Sequence, residues 1–389
     1  MNLVVLPFHD YRKSQNEGFR TRDGHIMLKL QDSSEVTNIL IINRPFSLLE
    51  MLYKRKSWKT QGETTLKMLN KRLVKINQNT FVIDYLSFDI LGQLLNGKKW
   101  FWKSYSQKNF IKFIKRSLIM LEIKSYNVIS HTPQSYGAVS KLQYSKIIFD
   151  AFDNWLKIPA NKKYYQIIFD SYQKFSKLAD IWTTNSEENK KYYKKLFAIE
   201  KIEIITNGVD PDYFRTPTKI PSDLRGLKKP IIGFAGKITH LIDTELVNYI
   251  LSQNIDMSFV FIGAILDKSV YDRITKADNF YFLGDKHYKE YPSYLNTFDV
   301  CIIPYNYGNK AHGGDSIKFY EYLAADKTIV STPGNGVFKY NSNVFICNSK
   351  EDFSNSLGLA LLHEKETTII KQEITWEFKA EKFLSLLKS

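Results

Sequence analysis

The run Val300-Cys301-Ile302-Ile303-Pro304, the polar loop Tyr305–Gly314 and the run Asp315-Ser316-Ile317-Lys318-Phe319-Tyr320-Glu321-Tyr322-Leu323-Ala324-Ala325, followed by Thr328-Ile329-Val330-Ser331, decide how this chain is read. A short apolar run, a helical pattern and a second β-branched run make a strand–helix–strand unit, the building block of parallel sheets. Asp315 or Ser316 is expected to cap the helix. Gly313 and Gly314 stand just ahead of it, where small residues let backbone N–H groups approach an anion and the dipole favours negative charge. Lys318 falls in the first turn, and Glu321 lies three residues on, along the same face. The pair suits a nucleoside diphosphate, with the ammonium on phosphate and the carboxylate on the ribose hydroxyls. Both side chains are expected to face solvent. An ordinary crossover helix with a solvated Lys–Glu pair would carry the same residues.

The same alternation extends in both directions. Strands are expected at Leu3–Pro7, Thr37–Ile42, Thr80–Asp84, Asn127–Ser130, Lys146–Phe149 and Ile181–Thr184, with helices at Gly24–Leu30, Gly62–Val74, Asn109–Glu122, Tyr165–Ala179 and Ser186–Leu196. In the second half strands are expected at Ile231–Ala235, Ser258–Ile262, Phe280–Phe282, Val300–Ile303, Thr328–Ser331 and Val344–Ile346. Their helices are Asp243–Ser252, Ser316–Ala325, Glu351–Leu362 and Thr375–Leu387. Four prolines in Pro211–Pro230 mark a linker. The fold class is α/β, with two doubly wound units over residues 1–212 and 213–374 and a last helix over 375–389. The length of 389 residues fits two or three domains.

Ser316-Ile317-Lys318-Phe319-Tyr320-Glu321-Tyr322-Leu323-Ala324-Ala325-Asp326-Lys327-Thr328-Ile329-Val330-Ser331-Thr332-Pro333 resembles the donor segment of GT-B glycosyltransferases. The likeness is to bacterial surface-polysaccharide enzymes of the teichuronic-acid type. Ile231–Lys237, Phe259–Gly263, Phe280–Gly284, Tyr291–Leu295, Ala179–Ser186 and Ile205–Asp210 resemble further segments of the same family, so the match covers roughly residues 150–389. Ser316 stands where the family usually has Pro, Asp326 where it has Gly, and Gly313 where many members carry a first glutamate. The resemblance implies two Rossmann-like domains facing a cleft, a last helix crossing back to the first domain, and a nucleotide-sugar donor held by Gly236, Lys237, Gly313, Gly314, Ser316, Lys318 and Glu321. Lys237 and Lys318 would stabilise the leaving diphosphate, so no metal or other cofactor is expected.

The first half is expected to supply the acceptor side. Phe149-Asp150-Ala151-Phe152-Asp153 ends a strand and resembles the family's Asp-x-x-Asp. Asp153 is favoured as general base, with Asp150 and Asp23 behind it. The bland reading of these acids is helix capping. His131 also follows a strand, although a lone His is more often structural. Gly18, Arg20 and Arg22 form a candidate anion cradle; a capped helix start with solvated arginines is the alternative.

The net charge of +15 is uneven: residues 1–200 carry 33 basic and 17 acidic side chains, whereas the remainder is nearly neutral. Residues 54–75 and 98–124 each hold eight basic side chains and one acid. Lys108, Lys112, Lys115 and Arg116 share one face of a helix, and Lys67, Lys71 and Lys75 are spaced as a second helical stripe. Trp100, Phe101, Trp102 and Tyr105 adjoin them. This pattern suits an anionic membrane surface. It also suits a plain surface helix packed on a sheet. Two cysteines exclude a disulfide framework, and no signal peptide or membrane span is expected. The expected protein is cytoplasmic and peripheral on the inner face of the cell membrane. It would move a sugar from a nucleotide sugar to a glycan or polyprenyl-linked glycan. The rivals are a nucleotide-sugar epimerase of the same shape, a catalytically dead scaffold and a basic nucleic-acid-binding protein. Against the last, no nucleic-acid motif is found.

Overall fold

The computed structural model describes every residue except Lys56, Pro217, residues 308–313, Asn335 and Lys365. The chain divides into two units, Met1–Thr206 with Lys379–Ser389, and Asn207–Phe378.

Among the described residues the first unit holds ten strands: β1 Asn2–Leu6, β2 Asn38–Ile42, β3 Phe46–Ser47, β4 Glu63–Met68, β5 Lys71–Lys75, β6 Thr80–Ser87, β7 Asn127–Ser130, β8 Ile147–Asp150, β9 Ile181–Thr184 and β10 Ile202–Ile204. Their order is β10-β9-β8-β7-β1-β2-β6-β5-β4, with β3 beside β6. From β10 to β6 the ladder is parallel. Within it, residues 3–6, 39–42 and 147–149 are continuous apolar runs because both faces of a parallel sheet are covered. The order reverses between β1 and β7, so loops leaving those two strands diverge and open a crevice at their carboxyl ends.

The helix expected over Gly62–Val74 is instead the antiparallel hairpin β4–β5, docked on β6. Glu63-Thr64-Thr65-Leu66 is β-branched at two adjacent positions, Leu69 turns the chain with φ 48°, and β6 offers a fully buried strand to pair with. Tertiary pairing outweighs the helical spacing of the apolar residues. The expected stripe of Lys67, Lys71 and Lys75 therefore does not exist: Lys67 lies opposite Arg72, Lys71 opposite Met68 and Lys75 opposite Glu63.

The second unit is a parallel sheet of β11 Ile231–Ala235, β12 Ser258–Ile262, β13 Phe280–Phe282, β14 Val300–Ile303, β15 Thr328–Ser331 and β16 Val344–Ile346. The order β13-β12-β11-β14-β15-β16 is the doubly wound order, with its reversal between β11 and β14. These six strands have the bounds expected from the sequence. The stretch expected to be a linker, 211–230, is anchored in this unit at two points. Pro211–Arg215 is a helix, and Phe214 and Leu224 are buried in the cluster around β11. The unit starts earlier, where Val209 N donates to Ile374 O at 2.9 Å.

Asp326 adopts φ 52°, a conformation natural to glycine. Its carboxylate compensates by accepting from Thr368 N at 2.7 Å and Arg215 at 3.5 Å.

Candidate functional site

Each unit gathers polar side chains where its strand order reverses, at the carboxyl ends of the strands. In the second unit the focus is Lys318, in the first turn of the helix Ile317–Ala324. Its ammonium donates to the Tyr305 hydroxyl, just after β14, and lies 4.9 Å and 5.3 Å from the Tyr305 and Phe234 ring centres. Gly236, after β11, is required by this approach: a Cβ there would sit 2.4 Å from Lys318 Cε. Lys237 follows in the same turn. Gly263, after β12, closes against it, since its own Cβ would fall 2.1 Å from Gly236 O. The helix is fixed to β11 by Tyr322, whose hydroxyl accepts from Ala235 N at 2.8 Å.

Ser316 occupies the N-cap position but makes no side-chain cap bond, so the expected cap is absent. Asp315 is committed elsewhere. It accepts from Asn207 N and, at 2.8 Å, from the Tyr320 hydroxyl. The start of the helix thus keeps its positive end unneutralised by a side-chain cap. Gly314 leads into it with φ 72°; Gly313 lies outside the described residues.

Glu321 corrects the expectation of solvent exposure. It is 4% exposed and accepts at 2.9 Å from the Tyr288 hydroxyl. The helix is covered on most sides, with Phe319 through Ala324 all buried. Burial first, and then the Glu321 charge, push the Tyr288 hydroxyl well up. Tyr288 in turn stacks on Tyr213, ring centres 5.2 Å apart.

The first unit brings together three of its four candidate acid–base residues. Asp150 ends β8 fully buried. It receives Arg22 Nε at 3.2 Å, Arg22 Nη2 at 3.3 Å, Thr183 Oγ1 at 2.7 Å and faces His131 Nδ1 at 2.9 Å. Burial would raise this carboxyl, but Arg22 and His131 outweigh it and hold it well below the usual range. His131 follows β7, and its Nε2 has no hydrogen-bond partner among the described residues. Asp23, also buried, accepts from His9 N at 2.6 Å and Thr21 Oγ1 at 2.8 Å, and meets His9 Nδ1 at 3.0 Å. Burial opposes its charge, and His9 more than restores it. Asp153 stands apart: it lies in the bend after β8, half-buried.

The expected anion cradle is taken up internally. Arg22 is spent on Asp150 and Thr206 O, Arg20 Nε donates to Glu17 at 3.1 Å, and Gly18 caps a helix by donating to Ser14 O. Two groups escaped the sequence reading. His9 follows β1 at the reversal, the same positional signal that pointed to His131. Tyr288 is distant in sequence from Glu321, and no short motif links them.

Of the basic side chains, Lys108, Lys112, Lys115 and Arg116 are exposed on the helix Lys108–Met120, whose Phe110, Ile111, Phe113 and Ile114 are buried. Trp100 and Tyr105, which adjoin them in sequence, are fully buried.

No family model matches the chain. It is 26% identical over 205 residues to a Bacillus subtilis (strain 168) protein named for teichuronic acid biosynthesis, the glycosyltransferase TuaH. The match covers 50% of this chain and 52% of that protein, so the chain spans about half the length of the curated relative it matches. Among solved structures, sucrose-phosphate synthase from Thermosynechococcus elongatus aligns over 100% of this chain and 98% of its own, with a TM-score of 0.66 at 11% identity. A trehalose 6-phosphate synthase from Burkholderia multivorans gives 0.62 at 12% identity over 99% and 94%. A UDP-GlcNAc 2-epimerase from Neisseria meningitidis gives 0.52 at 11% identity over the full length of both chains. The fold is that of the GT-B glycosyltransferases.

Proposed function

We propose that this chain is a nucleotide-sugar-dependent glycosyltransferase that moves a sugar to a hydroxyl of a glycan or lipid-linked glycan in cell-surface polysaccharide synthesis. The observation that carries the reading is Lys318, held at the β11–β14 reversal against a glycine that leaves room for it. A fixed ammonium beside an uncapped helix start stabilises the charge that develops on a leaving diphosphate. Lys237 and Lys318 would share that work without a metal. Glu321, tied to Tyr288, would position ribose rather than float in solvent.

In the first unit Asp150 and Asp23 already accept several hydrogen bonds, so they orient His131 and His9. Proton acceptance then falls to His131 Nε2 or to Asp153, and Asp153→Asn against His131→Ala, compared for turnover, assigns it. The basic stretches 54–75 and 98–124 would hold the enzyme peripherally on the inner face of the membrane, near a polyprenyl-linked acceptor. Among the described residues no helix is long and apolar enough to cross a membrane.

The test is diphosphate release from a panel of nucleotide sugars, with and without acceptor glycan. Acceptor-dependent release supports transfer. Sugar interconversion without acceptor would make the chain an epimerase, donor binding without release a scaffold, and polynucleotide binding alone a nucleic-acid protein.

A further inference from the structure

The first unit carries an apolar ridge that its fold leaves uncovered. The helix Ile90–Asn96, sequence Ile90-Leu91-Gly92-Gln93-Leu94-Leu95-Asn96, has no buried residue. Leu91, Leu94 and Leu95 are 74%, 66% and 85% exposed, and Phe88 just ahead is 53% exposed. This helix packs beside Leu48–Lys54, whose Leu52 and Tyr53 are 63% and 91% exposed. Single exposed leucines are ordinary on a protein surface, but five large apolar side chains on adjoining short helices, with Phe88 just ahead of one, mark an interaction site.

The border of the ridge is basic. Lys98 and Lys99 follow the helix directly and Lys103 comes one turn later, all exposed. Lys98 and Lys163 both stand over the Tyr164 ring, at 5.8 Å and 5.2 Å, which brings lysines of two segments to one place. The nearby carboxylates are engaged internally. Asp89 accepts from Gly92 N at 2.8 Å and Trp100 Nε1 at 3.0 Å; Glu50 takes Arg44 at 2.9 Å.

We propose that this ridge inserts into the headgroup region of an anionic lipid bilayer. Phe88, Leu91, Leu94 and Leu95 enter the interface, and Lys98, Lys99 and Lys103 meet the lipid phosphates. An apolar face bordered by cations is the chemistry such an interface recognises. A second copy of the chain would bring two cationic borders together, which disfavours self-association through this face. The inference rests on the membrane part of the reading above, not on sugar transfer. It places the anchor on the helix Ile90–Asn96 rather than on Lys108–Met120, whose apolar side is used up in the core.

The test is co-sedimentation of the full chain with phosphatidylcholine vesicles, with and without phosphatidylglycerol, at low salt and at about 1 M salt, where the Debye length falls to about 3 Å. Three proteins are compared: wild type, the triple variant Leu91→Ser, Leu94→Ser, Leu95→Ser, and the double variant Lys98→Glu, Lys99→Glu. Wild type should bind the anionic vesicles and keep a residual bound fraction at high salt. The leucine variant should lose that residue and bind about tenfold or more weakly at low salt. The lysine variant should lose most of the low-salt binding. Matching melting temperatures and matching diphosphate release with a soluble acceptor show that fold and active site are untouched, so failure here is separable from failure of the transfer reading. The proposal is overturned by absent vesicle binding, by equal binding of wild type and leucine variant, or by complete release of wild type at high salt. It is also overturned by self-association, or binding to an acidic protein, that the leucine variant abolishes while vesicles are ignored.

Discussion

At the scale of single residues, the charges in the first unit's reversal are paired tightly enough to affect stability. Asp150→Asn leaves the Arg22 guanidinium, 1% exposed, without its countercharge. Breaking a buried pair from one side costs about 3–5 kcal/mol, which denaturant unfolding will read. The pH dependence follows from the same partners. Asp150 and Asp23 have folded pKa values held below the ordinary value of about 3.9. Their contribution is complete above that value and is lost as pH falls through the depressed folded values. Melting temperatures measured from about pH 6 down to about pH 2 should drop steeply below about pH 4 in wild type, and less steeply in Asp150→Asn. In the second unit, Gly236→Ala places a methyl 2.4 Å from Lys318 Cε and 2.9 Å from its ammonium. The lysine tip is flexible and gives way, so stability should change by under about 1 kcal/mol while nucleoside diphosphate affinity falls about tenfold or more by calorimetry.

At the scale of elements, the helix Ile317–Ala324 has two faces with different duties. Lys318→Ala should leave the melting temperature unchanged. Glu321→Ala strips the buried Tyr288 hydroxyl of its acceptor and should cost about 1–3 kcal/mol by urea unfolding. Equal stability of the two variants would contradict that division. Helical spacing put Lys318 one turn ahead of Glu321 and assigned both to one side, whereas Lys318 meets Tyr305 and Phe234 and Glu321 meets Tyr288. It did not reveal burial, because Tyr288 and Tyr213 come from segments that spacing cannot relate. The strands of the second sheet were legible, since their apolar runs are separated by polar loops and four of the six are fully buried. The hairpin β4–β5 was not, because Leu66, Leu73 and Val74 satisfy both periods and only β6 decides between them. His9 was missed for the opposite reason: its position after β1 was visible, but Asp23 reaches it only through the turn at Thr21.

At the scale of the whole molecule, the proposed transfer would place the donor on the second unit and the acceptor on the first, whose sequence carries the excess of basic side chains. Lys67, Lys71 and Lys75 sit on the hairpin β4–β5 instead of on the helical stripe expected for them. The measurement that tests the central claim most directly is nucleoside diphosphate release from a panel of nucleotide sugars in the presence of a glycan acceptor, run in parallel on wild type and Lys318→Ala. Wild type should release the diphosphate from one donor, and Lys318→Ala should release it slower by about two orders of magnitude at unchanged melting temperature. Release from none of the donors, or equal rates in the two proteins, would contradict the account.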